Sequence, residues 1–201
     1  MNIWLVVADE REVPFDANGG FVSKIIVTGI GYSKTVKSLE AELESEVPDM
    51  IICLGFCGSV TRKLKVGNTV IASQVRYRKP WTLKTQRLDI DTKKIFPRTI
   101  TLKKGVVRGV FQTFHGMVRH RFGASRGVVA VDQETYHVAE LAQQYDVPII
   151  IAKVVSDVVP IIPTTVKRQI GKIKINYKQS RGSLNLFLLY LIQKIKTRPT
   201  K

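Results

Sequence analysis

The sequence predicts an α/β domain, with one mixed central β-sheet flanked by helices. Three observations carry that expectation. Short apolar runs alternate with amphipathic stretches along most of the chain. Several of those runs are nearly continuous in Val, Ile and Leu, as suits strands buried on both faces. The chain has 201 residues, of which 44% are apolar. That is one-domain length, and it excludes a disordered chain. Residues 1–196 are read as the domain and 197–201 as a basic tail.

Each element has its own signal. Ile3 to Val7 predicts a buried first strand. Phe21 to Thr28 predicts a second, closed by the turn Gly29-Ile30-Gly31. From Ser33, a plausible N-cap, the period becomes helical, with Val36, Leu39, Leu43 and Val47 on one face. Pro48-Asp49 ends that helix, and Met50 to Leu54 reads as an interior strand, followed by a glycine-rich loop from Gly55 to Gly58. Thr69 to Val75 is the next strand. Residues 76–104 lack a clean period and predict an irregular excursion. Val106 to Phe111 and Val128 to Val131 return to strand. Val138, Leu141, Ala142 and Tyr145 mark a helix, and Pro148 to Val155 a buried strand ending on Ser156-Asp157. Ser183 to Ile195 predicts a final helix, with Leu184, Phe187, Leu188, Leu191 and Ile195 packed on the sheet.

Charge narrows the partners. Thirty-two Lys and Arg face sixteen Asp and Glu, a net charge of +16. That field favours anionic partners without dictating a fold. Arg76, Tyr77, Arg78, Lys79 and Trp81 interleave cations with aromatics, as a single-strand binding surface does. No nucleic-acid module motif accompanies them, so nucleic acid is the less favoured partner. The opening segment has no basic n-region, and the run Leu186 to Ile192 is far shorter than a membrane span of about 20 residues. A cytoplasmic, membrane-free protein is expected. Cys53 and Cys57 read as buried free thiols, since no further ligands sit near enough to complete a metal set.

Three acids stand where α/β sheets gather ligands. Glu12 follows the first strand, Glu134 opens the best helix, and Asp157 ends a buried strand. Taken singly, each has a plainer role: a solvated loop charge, a partner for the helix dipole, and a turn cap. Taken together they suit acid, base and sugar-hydroxyl acceptor. His137, three residues after Glu134, is within helical reach of that carboxylate.

Sequence blocks around these acids resemble the nucleoside phosphorylase and nucleosidase superfamily. Val27-Thr28-Gly29-Ile30-Gly31, Ile51 through Gly58, and Leu64-Lys65-Val66-Gly67-Asn68 are similar to its glycine blocks. Ala130 through Thr135, Val147-Pro148 and Ser156-Asp157 follow in the same order. Ala8 through Val13 looks like the branch that cleaves 5′-methylthioadenosine and S-adenosylhomocysteine. The resemblance implies that Asp157 is the general acid toward the purine, oriented by Ser156. It implies that Glu134 holds the ribose hydroxyls and that Glu12 activates water. Gln133 stands beside Glu134 where the family has Met, and Gly55 lets backbone approach the substrate. Phe114 is a candidate for stacking on the base, although an aromatic beside a strand is more often core. A nucleoside substrate, a homodimer, and no metal or organic cofactor are implied. Water is favoured over phosphate as nucleophile, because a glutamate in the opening loop repels phosphate. A phosphorylase, or an impaired relative that binds nucleotides or nucleic acid, is the competing expectation.

Overall fold

The computed structural model describes residues 1–17, 19–78, 85–92, 104–118, 124–161 and 165–197. Among the described residues, eight strands and three helices follow in the order β1 (Ile3–Val7), β2 (Lys24–Val27), α1 (Tyr32–Ser45), β3 (Met50–Ser59), β4 (Thr69–Arg78), β5 (Thr85–Asp89), β6 (Val106–Thr113), β7 (Val128–Asp132), α2 (Thr135–Gln144), β8 (Ile149–Val158) and α3 (Val166–Lys196). A 3-10 turn, Glu10–Glu12, lies between β1 and β2.

All the strands join one mixed sheet in the order β2-β1-β3-β7-β6-β4-β5, with β8 paired to both β3 and β4. The pairings β3–β8, β8–β4, β4–β6, β6–β7 and β7–β3 therefore close a ring at one end of the sheet. Strands β1 and β2 extend it on one side and β5 on the other. The β3–β8 register slips between Cys57 and Gly58, so Ser156 is the extra residue of a bulge directly before Asp157. Such a bulge re-aims the side chains that follow it.

Alternation along the strands separates two cores. Trp4, Val6, Ile51 and Cys53 face α1 and α2, joining Leu39, Leu43, Val138 and Leu141. Ile3, Leu5, Ile52 and Leu54 face the opposite way, onto Leu184, Phe187, Leu188, Leu191 and Ile195 of α3. The apolar face expected for the final helix is buried residue for residue.

Several boundaries differ from the sequence expectation. Helix α1 starts at Tyr32 with Gly31 as N-cap, and Ser33 plays no capping part. Its buried residues are Thr35, Leu39 and Leu43, while Val47 is exposed. The segment Gly55–Gly58 continues β3 as strand. Within 76–104, β4 runs on to Arg78 and pairs with β5 as an antiparallel hairpin, while residues 79–84 and 93–103 lie outside the described residues. Helix α3 begins seventeen residues before Ser183, at Val166, where the Thr165 side chain accepts from Arg168 N. This first half is basic and carries Gly171 and Gly182, so it shows no apolar period and has reduced helix propensity. Among the described residues no helix is long and apolar enough to cross a membrane.

The burial pattern predicts an unequal pair of substitutions. Leu188 is fully buried whereas Leu186 is 59% exposed. Leu188→Ala should lose about 2–5 kcal/mol of stability, and Leu186→Ala about 0.5 kcal/mol or less, in urea unfolding.

Candidate active site

Strand ends and helix starts converge on a cavity of about 310 Å³, the size of a small-molecule site. Its floor is acidic. Glu12, Asp132, Glu134 and Asp157 all line it, and all are at least nine-tenths buried. Four carboxylates so enclosed need donors and counter-charge, because a buried ion is stable only when paired or hydrogen-bonded.

Glu12 closes the 3-10 turn and folds back toward β3. One carboxylate oxygen accepts from Ala8 N at 2.9 Å and the other from Phe56 N at 2.8 Å. Gly55, beside Phe56, has φ +145°, and a Cβ there would stand 2.6 Å from Glu12 Oε2. Glycine at 55 thus makes room for the Glu12 carboxylate, and it is not itself a cavity-lining residue. Burial pushes the Glu12 carboxyl above its ordinary range, opposed by the charge of Lys153 and by the two backbone donors.

Glu134 is the N-cap residue of α2, but its side chain turns across to α1. It accepts from Gly31 N at 3.0 Å and from Gln133 N at 3.3 Å. The Gly31 N–H is one of the unpartnered donors at the α1 N-terminus, where an anion is also favoured by the helix dipole. Burial raises the Glu134 pKa to about 7, against the pull of Lys153. Gln133 lines the cavity next to it.

Asp157 and Ser156 reach the cavity from the bulged end of β8. The Ser156 hydroxyl lies 3.2 Å from Asp157 Oδ1 and 3.3 Å from the Cys57 carbonyl oxygen, either of which accepts its proton. Asn176 of α3 donates to the Ser156 carbonyl at 2.9 Å. Phe114 stands apart from these groups. It packs with Val128, Val131 and Val159 in a small apolar cluster and does not line the cavity.

Two functional candidates escaped the sequence reading. Lys153, in the middle of β8, is 1% exposed. Its ammonium lies 3.7 Å from Asp132 Oδ2. Burial pulls its pKa down, but Cys53, Glu12, Asp132 and Glu134 around it hold it above the ordinary lysine value. Asp132, at the end of β7, accepts from the Thr113 hydroxyl at 2.9 Å, and from the backbone and hydroxyl of Thr135. The signal was a lone lysine inside an otherwise apolar strand, since such a residue is almost never buried without a charged partner.

The remaining sequence candidates fall outside the cavity. The His137 ring packs against Tyr32, Tyr77 and Tyr136, and its buried Nδ1 makes no hydrogen bond, lying 3.7 Å from Glu140, so the ring does not pair with the Glu134 carboxylate. Burial lowers the His137 pKa to about 4. Tyr77 is buried in the same cluster, which removes it from any base-stacking surface, and Lys79 and Trp81 lie outside the described residues. Cys53 and Cys57 are buried free thiols whose pKa values are raised by burial, Cys53 to about 12.

An acid-floored cavity at the strand ends of a mixed α/β sheet has the size and position of a small-molecule site. A family model described as the Phosphorylase superfamily matches residues 19–176, and the chain belongs to that superfamily. Among curated proteins, none matches the sequence. Among solved structures, the fold is similar to the 5′-methylthioadenosine/S-adenosylhomocysteine nucleosidase of S. pneumoniae with a transition-state inhibitor (TM-score 0.76, 16% identity, covering 97% of this chain and 100% of that one). It is similar to the corresponding nucleosidase of Colwellia psychrerythraea in complex with adenine (TM-score 0.75, 17% identity, 96% and 95% covered). Futalosine hydrolase of Helicobacter pylori is similar too (TM-score 0.75, 13% identity, 96% and 98% covered). Glu12 precedes the segment that the family model matches.

Two predictions concern the electrostatics of this floor. Lys153→Met leaves three buried carboxylates without their cation and should lose about 3–5 kcal/mol of stability near neutral pH. The loss should shrink as pH falls toward 5, because protonation then replaces the missing charge; thermal melts at several pH values measure it. Glu134 behaves oppositely to a salt-bridged acid, since its folded-state pKa lies above its ordinary value of 4.5. As pH rises from there to about 7, the unfolded chain releases this proton before the folded one, so the group withdraws stability across that window. Glu134→Gln should therefore gain on the wild type in thermal stability as pH rises through the same range.

Proposed function

We propose that the protein hydrolyses the N-glycosidic bond of a purine nucleoside, with 5′-methylthioadenosine or S-adenosylhomocysteine as the first substrates to test. The observation that carries this reading is the set of four buried carboxylates facing one cavity. Breaking a C–N glycosidic bond builds positive charge on the ribose, and fixed anions around the ring stabilise that transition state. The base leaves poorly as an anion and needs a proton.

Asp157 supplies that proton to the purine, with the Ser156 hydroxyl orienting its carboxyl. Glu134 accepts hydrogen bonds from the ribose hydroxyls, and Gln133 borders them. Glu12 takes the proton of the attacking water from the face opposite the base, the arrangement that inverting glycosidases use. Its two backbone donors aim the carboxylate, and Lys153 beneath it keeps a compensating charge close while water is deprotonated. Carboxylates on the cavity floor repel phosphate, which favours water as nucleophile. The similar fold of nucleosidases complexed with adenine or a transition-state inhibitor supports the same bond type. Phe114 would need to leave its apolar cluster to reach a base, so stacking falls to other groups. A homodimer is part of this reading, with Ile30 and Tyr32, both over 40% exposed around the start of α1, as its contact, in a cytoplasmic enzyme that needs no cofactor. Analytical ultracentrifugation of the wild type and Tyr32→Glu tests that contact.

Adenine release from methylthioadenosine, followed with and without phosphate, tests the activity. Release at equal rates in both supports hydrolysis; release only with phosphate makes the protein a phosphorylase. Asp157→Asn should lower kcat by about a hundredfold or more with little change in KM, because its proton acts as the bond breaks. Glu134→Ala should raise KM for ribosides while free-base binding persists. Full activity in both variants would move the chemistry elsewhere.

A further inference from the structure

Charge is divided between the two faces of the sheet. Helices α1 and α2, on one face, carry four glutamates and two lysines. Helix α3, on the other, carries eight Lys and Arg and no acid, and residues 158–201 as a whole hold ten and none. Lys104, from a second acid-free stretch over residues 92–131, lines a groove of about 170 Å³ beside α3 with Leu186 and Tyr190. One side of the molecule is therefore strongly cationic. A field divided in this way turns the protein to face an anionic partner before contact.

The outer surface of α3 is not charge alone. Ile175, Lys178, Leu186, Leu189 and Lys196 follow one another in helical steps along a single line, opposite the buried Leu184, Leu188, Leu191 and Ile195. Ile175 is 82% exposed, Leu186 59% and Leu189 44%, and both lysines are exposed. From Ile175 to Lys196 the line runs about 30 Å at a rise of 1.5 Å per residue. Aliphatic tips therefore stand in water among cations on a convex ridge, and the core beneath the sheet makes no use of them. The Asp16 carboxylate is held at the flank of the helix by Asn185 Nδ2, at 2.7 Å. Two aromatic rings of α3 are committed elsewhere: Tyr190 lies under the Lys194 ammonium, and the Tyr177 hydroxyl donates to Arg11 O. Neither ring is placed to stack on a nucleic-acid base.

We propose that the outer line of α3 docks on an anionic lipid surface. The helix lies in the plane of the membrane, as an interfacial amphipathic helix does. Ile175, Leu186 and Leu189 sink into the boundary between headgroups and acyl chains, and the lysines beside them rest on acidic headgroups. The contact is peripheral, since among the described residues no helix is long and apolar enough to cross a membrane. It departs from the membrane-free protein that the sequence predicts. A second copy of the chain fits this face poorly, because two acid-free helices repel one another. The aliphatic side chains favour lipid over nucleic acid, because a phosphate backbone gives them nothing to enter and a bilayer does. Docking of this kind is independent of what the cavity binds.

Co-sedimentation of the intact chain with vesicles of phosphatidylcholine, alone or mixed with phosphatidylserine, tests it. At low salt the serine-lipid vesicles should bind the protein about tenfold more tightly or better, and added salt should erode the difference. Lys178→Gln and Lys196→Gln should each weaken that binding about fivefold. Leu186→Gln combined with Leu189→Gln should weaken it about tenfold, through lost apolar burial. Circular dichroism and thermal melts check that these surface variants fold as the wild type does. Tryptophan emission reports the orientation: Leu186→Trp should shift to the blue with acidic vesicles, and Val47→Trp, exposed just past α1, should not. Binding to neither vesicle, equal binding to both, or binding that the lysine or the leucine variants leave unmoved overturns the proposal. A blue shift at Val47→Trp in place of Leu186→Trp overturns it as well. Salt-sensitive retention of a single-stranded oligonucleotide without vesicle binding assigns the charge to nucleic acid. A dimer lost in the leucine variant, again without vesicle binding, assigns the face to a second copy, and either result overturns lipid docking.

Discussion

A single ammonium group in the middle of the sheet sets the terms for everything around it. Lys153 is enclosed on β8, where a lone charge would be expelled or neutralised, and it persists because carboxylates from three other parts of the chain meet it. Glu12 comes from the turn after β1, Asp132 from the end of β7, and Glu134 from the start of α2. Removing the cation would leave those acids to repel one another in a medium of low polarity. Removing the acids would leave an unpaired buried cation, at a cost of about 3–5 kcal/mol. The polar floor and the fold are therefore stabilised together, and within it burial raises the pKa values of Glu134 and Glu12.

The backbone is arranged to serve that cluster. Closure of β3, β8, β4, β6 and β7 into a ring brings strand ends from distant parts of the sequence to one rim. The bulge at Ser156 turns the end of β8 toward the cavity, and Gly55 opens the space that the Glu12 carboxylate fills. Helix α3 then completes the enclosure. Its second half is ordinary core packing under the sheet, while its first half reaches the cavity floor's backbone at two adjacent residues. Asn176 holds the carbonyl of Ser156, beside Asp157, and Tyr177 holds that of Arg11, beside Glu12. One turn of one helix thereby fixes the spacing between the two ends of the floor.

The fold was legible where burial leaves a simple mark. Continuous apolar strands and the stripe Leu184, Phe187, Leu188, Leu191 and Ile195 declare themselves, because period and composition report which side meets the core. The first half of α3 did not, since its residues face a cavity and solvent and follow no apolar period. The hairpin of β4 and β5 was hidden in the same way by its Arg, Gln and Thr. At the site, Glu12, Glu134 and Asp157 stood out by their positions at element ends, and Ser156 and Gln133 through the family resemblance; all five line one cavity. Lys153 and Asp132 were missed because pairing across 21 residues of sequence leaves no local pattern. Phe114 was placed by neighbourhood alone, and its actual surroundings are Val128, Val131 and Val159. The dependence of Glu12 on the glycine at 55 is likewise visible only in space.

The central claim is that the acidic floor surrounds a nucleoside in one defined orientation. A crystal structure of the Asp157→Asn protein with an intact purine nucleoside bound tests it most directly. The account predicts the base beside residue 157, the ribose hydroxyls on Glu134, and Glu12 facing the anomeric carbon from the other side. A nucleoside bound away from these residues, or in the cavity with its sugar turned from Glu134 and Glu12, would contradict it.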